Sequence, residues 1–209
     1  MPCPKCRQSG RHYFIKIFDI FSPEVFLSYN LGHYDRSRSF YTTNEVAKRL
    51  RATLEREVDV ACWIDESKER NNWKGTGIMQ DEAKYKALKI GVERSAVVIL
   101  LLSDAYLNTD SCKREFCAAI NSQKVIIPVL LSRGELADNG YNSGWTGYNI
   151  HSDHWWHHAH MTCVVSKDPD TGKTFSWSAL SQFKPVTMQD GGGAAEMDIV
   201  RRVTARFHR

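Results

Sequence analysis

Apolar and polar positions along the chain alternate between two periods. Residues 24–29 form a short, apolar, β-prone run, and residues 44–57 then place Val46, Ala47, Leu50 and Leu54 on one helical face with charges elsewhere. Thr42 and Glu45 have the spacing of a capping box, which satisfies orphan amides at a helix start. The unit recurs: residues 58–64 read as a second strand, 65–77 as a polar, Gly-containing loop, and about 79–92 as a helix. Residues 97–102 are a nearly continuous aliphatic run, as a central strand buried on both faces requires. Residues 112–122 read as the next helix and 125–129 as the strand after it. Four β segments separated by three helices define an open α/β sheet with crossover helices.

Beyond residue 131 the periodicity fails. Residues 132–193 are rich in Gly, Trp, His and Asn, and a short β segment around 162–165 is the regular element predicted there. Gly191, Gly192 and Gly193 read as a flexible joint. Met197, Val200, Val203 and Phe207 then recur at helical spacing. The expected organisation is an N-terminal extension over 1–22, an α/β core over 23–131, an irregular Trp/His-rich insertion over 132–193, and a C-terminal helix over 194–209 that packs back on the core.

Composition narrows the classes of function. With 42% hydrophobic and 25% charged residues in 209, the chain is globular and long enough to bury a sizeable core. A net charge of +4, scattered along the chain, is too weak and mixed for a nucleic-acid footprint. No apolar run approaches the roughly 20 residues needed to cross a bilayer. The stretch 13–21 is broken by Lys16 and Asp19, so neither a membrane span nor a secretory signal is read. Cys62, Cys112 and Cys117 lie in apolar segments, where a thiol behaves as a small hydrophobe, and a reducing, cytoplasmic setting is expected.

Candidate chemistry gathers where the strands end. In open α/β sheets, ligands bind beyond the carboxyl ends of the strands. Ser28, Tyr29 and Asn30 end the first strand, Asp65 follows the second, and Ser103 and Asp104 follow the third. On the helix over 112–122, Glu115 shares the inward stripe of Cys112, Phe116, Ala119 and Ile120. A carboxylate in an apolar stripe points to a pocket, a ligand or a paired charge. A blander reading stands beside this: a first-turn acid is favoured by the macrodipole, and Lys113 or Arg114 lies near enough to neutralise it. Asp65 and Ser103 likewise read as turn and cap residues, and Trp63 as core.

Two further constellations carry no metal assignment. Cys3 and Cys6 have the spacing of half a zinc ribbon without a second pair. His151, His154, His157, His158 and His160 surround Trp155 and Trp156, which reads as an insertion whose tryptophans pack on the domain while the imidazoles stay solvated.

The run Val25-Phe26-Leu27-Ser28-Tyr29 resembles the first box of TIR domains. It is followed in order by Cys62-Trp63-Ile64-Asp65, by Gly77-Ile78, by residues 95–106 ending in Ser103-Asp104-Ala105-Tyr106, and by Ser111-Cys112-Lys113-Arg114-Glu115-Phe116. The last is similar to the Cys-x-x-Glu-Leu segment of plant-type members, with Ser111 where the family often has Trp. The resemblance implies a flavodoxin-like, doubly wound parallel sheet with helices on both faces. For the NAD-cleaving branch it implies an NAD+ glycohydrolase releasing nicotinamide and ADP-ribose or a cyclic product, in immune or cell-death signalling. Glu115 would be the catalytic residue. Ser28 and Asn30 would line the adenine or phosphate end, Trp63 or Asp65 the wall, and Tyr29, Ser103 and Cys112 would complete the substrate-binding set. No cofactor is implied, NAD+ being the substrate. Other TIR domains are the implied partners, in a homo-oligomer on activation.

The alternative is a non-catalytic adaptor acting through TIR–TIR association, with the 65–77 loop as a contact surface. Adaptors commonly lack the acid that Glu115 provides. A response-regulator module shares the architecture but needs an acidic cluster at the end of the first strand, where Ser28 and Tyr29 stand.

Overall fold

The computed structural model describes residues 24–30, 34–35, 40–64, 78–103, 106–107, 109–131, 165–188 and 193–207. The elements run β1 (Val25–Tyr29), β2 (Tyr34–Asp35), β3 (Phe40–Tyr41), α1 (Thr42–Val58), β4 (Cys62–Trp63), α2 (Ile78–Arg94), β5 (Val97–Leu102), α3 (Asp110–Asn121), β6 (Val125–Leu131), β7 (Val165–Lys167), β8 (Thr174–Ser176), a 3-10 turn (Trp177–Gln182), β9 (Val186–Met188) and α4 (Gly193–Phe207). Asp65, Asp104, the Cys3/Cys6 pair and the His151–His160 cluster with its tryptophans fall outside the described residues.

Five strands form one sheet in the order β4-β1-β5-β6-β9, every pairing parallel. Counted along the chain this is the 2-1-3-4-5 order of the flavodoxin-like fold. The chain leaves β1 toward β4, then returns past it to β5, so the crossover direction reverses between β1 and β5. Two short antiparallel pairs, β2 with β3 and β7 with β8, lie outside this sheet.

Strand alternation divides the core into two layers. Val25, Leu27 and Tyr29 of β1, with Val97, Ile99 and Leu101 of β5, pack under α1 and α4. Phe26, Val98, Leu100 and Leu102 face α2 and α3 on the other side. The aliphatic run of β5 is thus buried on both faces, as its lack of alternation requires.

Several boundaries depart from the sequence reading. The expected strand over 58–64 is reduced to Cys62–Trp63, because α1 runs on to Val58 and Asp59, at φ 57°, turns the chain out of the helix in the left-handed region. The stretch expected to be irregular holds the β7–β8 hairpin, the 3-10 turn and β9, and β9 extends the main sheet beside β6. Its Trp177 and Leu180 are buried in the α2/α3 layer. In α4, Met197 is 48% exposed, and Ile199 joins Val200 and Val203 on the buried stripe instead. A four-residue step along the helix from Ile199 reaches Val203, whereas Met197 falls on the opposite side.

Candidate functional site

Alternation along β1 sends Ser28 into the α2/α3 layer behind Phe26, beneath α3. Helix α3 delivers Glu115 to the same place. Its side chain is 2% exposed, and the Ser28 hydroxyl donates to its Oε2 at 2.5 Å. The helix begins at Asp110, which supplies the first-turn acid. Glu115 sits in the second turn, so the macrodipole does not account for it. The neighbouring cations are engaged elsewhere: Lys113 pairs with Asp110 at 3.0 Å, and Arg114 pairs with Asp170 at 2.8 Å while its guanidinium lies 3.7 Å over the Tyr85 ring.

A third side chain completes the cluster. The Tyr106 hydroxyl lies 2.6 Å from Ser28 Oγ and 3.5 Å from the Cys112 carbonyl. Tyr106 is fully buried. Burial, reinforced by Cys112 and the charge of Glu115, pushes its phenol well above the ordinary value, so it stays protonated and can donate. The turn carrying it is fixed by Ser103, whose Oγ accepts the Tyr106 backbone N–H at 3.1 Å. Trp177 packs edge-on against the Tyr106 ring, with centroids 6.2 Å apart.

The sequence-predicted residues divide in two. Ser28, Ser103, Cys112 and Glu115 meet around this cluster, Ser103 as the cap that places Tyr106 and Cys112 through its backbone. Asn30 borders it: its side-chain amide donates to Thr109 Oγ1 at 2.8 Å, tying the end of β1 to the start of α3. Thr109 occupies the helix N-cap with extended backbone but makes no side-chain cap bond, its hydroxyl instead receiving Asn30. Tyr29 points to the opposite layer, where its hydroxyl donates to Asn44 Oδ1 at 2.7 Å. Trp63 stacks on Phe26 at 4.6 Å between centroids, the core role that its residue type favours. Tyr106 was not among the predicted site residues; the signal for it is the Ser103-x-x-Tyr106 spacing after a buried strand.

The cluster stands at the carboxyl end of β1, beside β5, which is the switch point where this sheet order places its ligands. A family model of the TIR domain matches residues 25–156. The chain belongs to the TIR domain family. The matched part of this TIR domain runs from β1 past β6, whereas β9 and α4 lie beyond it. Among curated proteins, none matches the chain. No helix among the described residues is long and apolar enough to cross a membrane.

Proposed function

We propose that this TIR domain is an NAD+ nucleosidase that breaks the bond between nicotinamide and ribose, with Glu115 as the catalytic carboxylate. One observation carries the reading: a carboxylate withdrawn from water at the β1/β5 switch point and oriented by the Ser28 hydroxyl. Burying an ionisable group there is costly unless the position has a use.

The chemistry suits one carboxylate. Nicotinamide departs with the electron pair of the C–N bond, which neutralises its pyridinium, so no acid is needed. Positive charge develops on the ribose, and a carboxylate in a low-dielectric site stabilises that oxocarbenium-like centre and accepts from the ribose hydroxyls. Water then bonds to C1′ and gives up a proton, yielding ADP-ribose; capture by a nucleophile of the same molecule yields a cyclic product. NAD+ is the substrate, and no separate cofactor takes part. Asn30 at the rim and Trp63 beside β1 are assigned to the substrate's more distant parts. Association with other TIR domains, in the cytoplasm and as a homo-oligomer on activation, belongs to the same proposal.

Glu115→Gln keeps the size and hydrogen-bonding capacity of the side chain while removing its charge. Nicotinamide release, followed by mass spectrometry, is expected to drop on the order of a hundredfold or more. The thermal midpoint should stay within a few degrees of the native value. If the native chain releases no nicotinamide, even when concentrated or crowded to favour association, the enzymatic reading is wrong and the adaptor takes its place.

A further inference from the structure

We infer that Tyr106 is a positioning residue for Glu115, acting through Ser28 to hold the carboxylate ionised and in one orientation; the inference deepens the nucleosidase reading and rests on it for its kinetic consequence. The direction of the chain follows from counting protons. Ser28 Oγ carries one hydrogen, and it goes to Glu115 Oε2 at 2.5 Å. The oxygen 2.6 Å away on Tyr106 must then be the donor of the other bond, with Ser28 accepting. The alternative acceptor for the phenol, the Cys112 carbonyl at 3.5 Å, is at the limit of a hydrogen bond. The result is a one-way chain, Tyr106 to Ser28 to Glu115, in which each donor polarises the next.

The surroundings hold Tyr106 in this role. Ser103 pins its backbone, and Trp177 closes the space behind its ring. Among the described residues, the titratable groups beside Tyr106 are Cys112, Glu115 and Cys117, all from α3. Lys113 and Arg114, which precede Glu115 in sequence, pair with Asp110 and Asp170. Ser28 and Tyr106 thus bring two neutral hydroxyls in series to the carboxylate.

Tyr106→Phe removes one hydroxyl and little else. The readout that does not depend on turnover is the titration of the Glu115 carboxyl by carbon-13 NMR of glutamate-labelled protein, its signal assigned by its disappearance in Glu115→Gln. An upward shift of the Glu115 titration in Tyr106→Phe supports the inference; a titration curve unmoved from native overturns it. In the nicotinamide-release assay the same variant should lose kcat on the order of tenfold with KM nearly constant, and the acid limb of its pH profile should move upward. A purely structural role would lower the amount of active protein without moving that limb. Should Tyr106→Phe fail to fold, protein grown with 3-fluorotyrosine replaces it. Its phenols are stronger donors, so the Glu115 titration should move downward, and an unmoved curve again overturns the role. If the native chain releases no nicotinamide, the nucleosidase reading falls, while the carboxyl titration still decides whether Tyr106 supports Glu115.

Discussion

At the scale of single residues, burial sets chemistry as much as residue type does. Loss of hydration pushes the Cys62 thiol from an ordinary 9.0 to about 12, helped by the charge of Glu55. The same cause, with Asp168 adding to it, raises Cys117 to about 12. Thiolate is the reactive form, so near pH 8 these two cysteines should be alkylated on the order of a thousandfold more slowly in the folded chain than in denaturant. Peptide mapping after iodoacetamide treatment measures this, and equal labelling in both states would contradict the burial. A stability consequence goes with it. The unfolded chain releases these protons near 9, whereas the folded chain keeps them to about 12. Their contribution is therefore intact below about pH 9 and declines as pH rises through the window to about 12.

At the scale of elements, α3 is the hub of the site. One face gives Glu115 to Ser28, and Phe116 of the next position joins Phe175 and Trp177 in an aromatic cluster, at 5.8 and 4.7 Å between centroids. The salt bridge from Arg114 to Asp170 ties the same helix to the turn between β7 and β8. Trp177→Ala should cost about 3–5 kcal/mol, because a large buried ring leaves a cavity that its neighbours fill only partly. Urea unfolding tests it, and a loss below about 1 kcal/mol would show that the ring is not part of the core. This element was only half legible in sequence. The 3.6-residue stripe of α3 marked Cys112, Phe116 and Glu115 as inward, since periodicity is a local property. Trp177 carries no such pattern, because a 3-10 turn is too short to show one.

At the scale of the whole molecule, β9 and α4 extend the TIR core well beyond residue 131. Strand β9 covers the edge of β6, and α4 lies on the α1 layer, where Ile199, Val200 and Val203 meet the strands. The Arg49–Glu196 pair, 2.6 Å apart, links α1 to α4 at the surface. A chain ending at residue 164 would bare the β6 edge and the apolar ground beneath α4. It should therefore show no cooperative thermal transition by circular dichroism. A sharp transition from that fragment would mean that the first four sheet strands suffice as a domain.

Local pattern determined much of this protein without help: the order of the main-sheet strands and their helices as far as β6, though not the β2–β3 pair, the fully buried β5, the inward face of α3, and the row of polar residues at the strand ends. Each depends on neighbours a few positions apart, which a sequence records directly. Tertiary structure decided what long-range pairing controls. It turned Tyr29 toward Asn44 and away from Glu115, recruited Tyr106 to Ser28 across 78 positions, and moved β9 into the sheet. The partner of a buried polar group is chosen by whichever distant atom the packed layers bring within hydrogen-bond reach, and no periodicity along the chain encodes that distance.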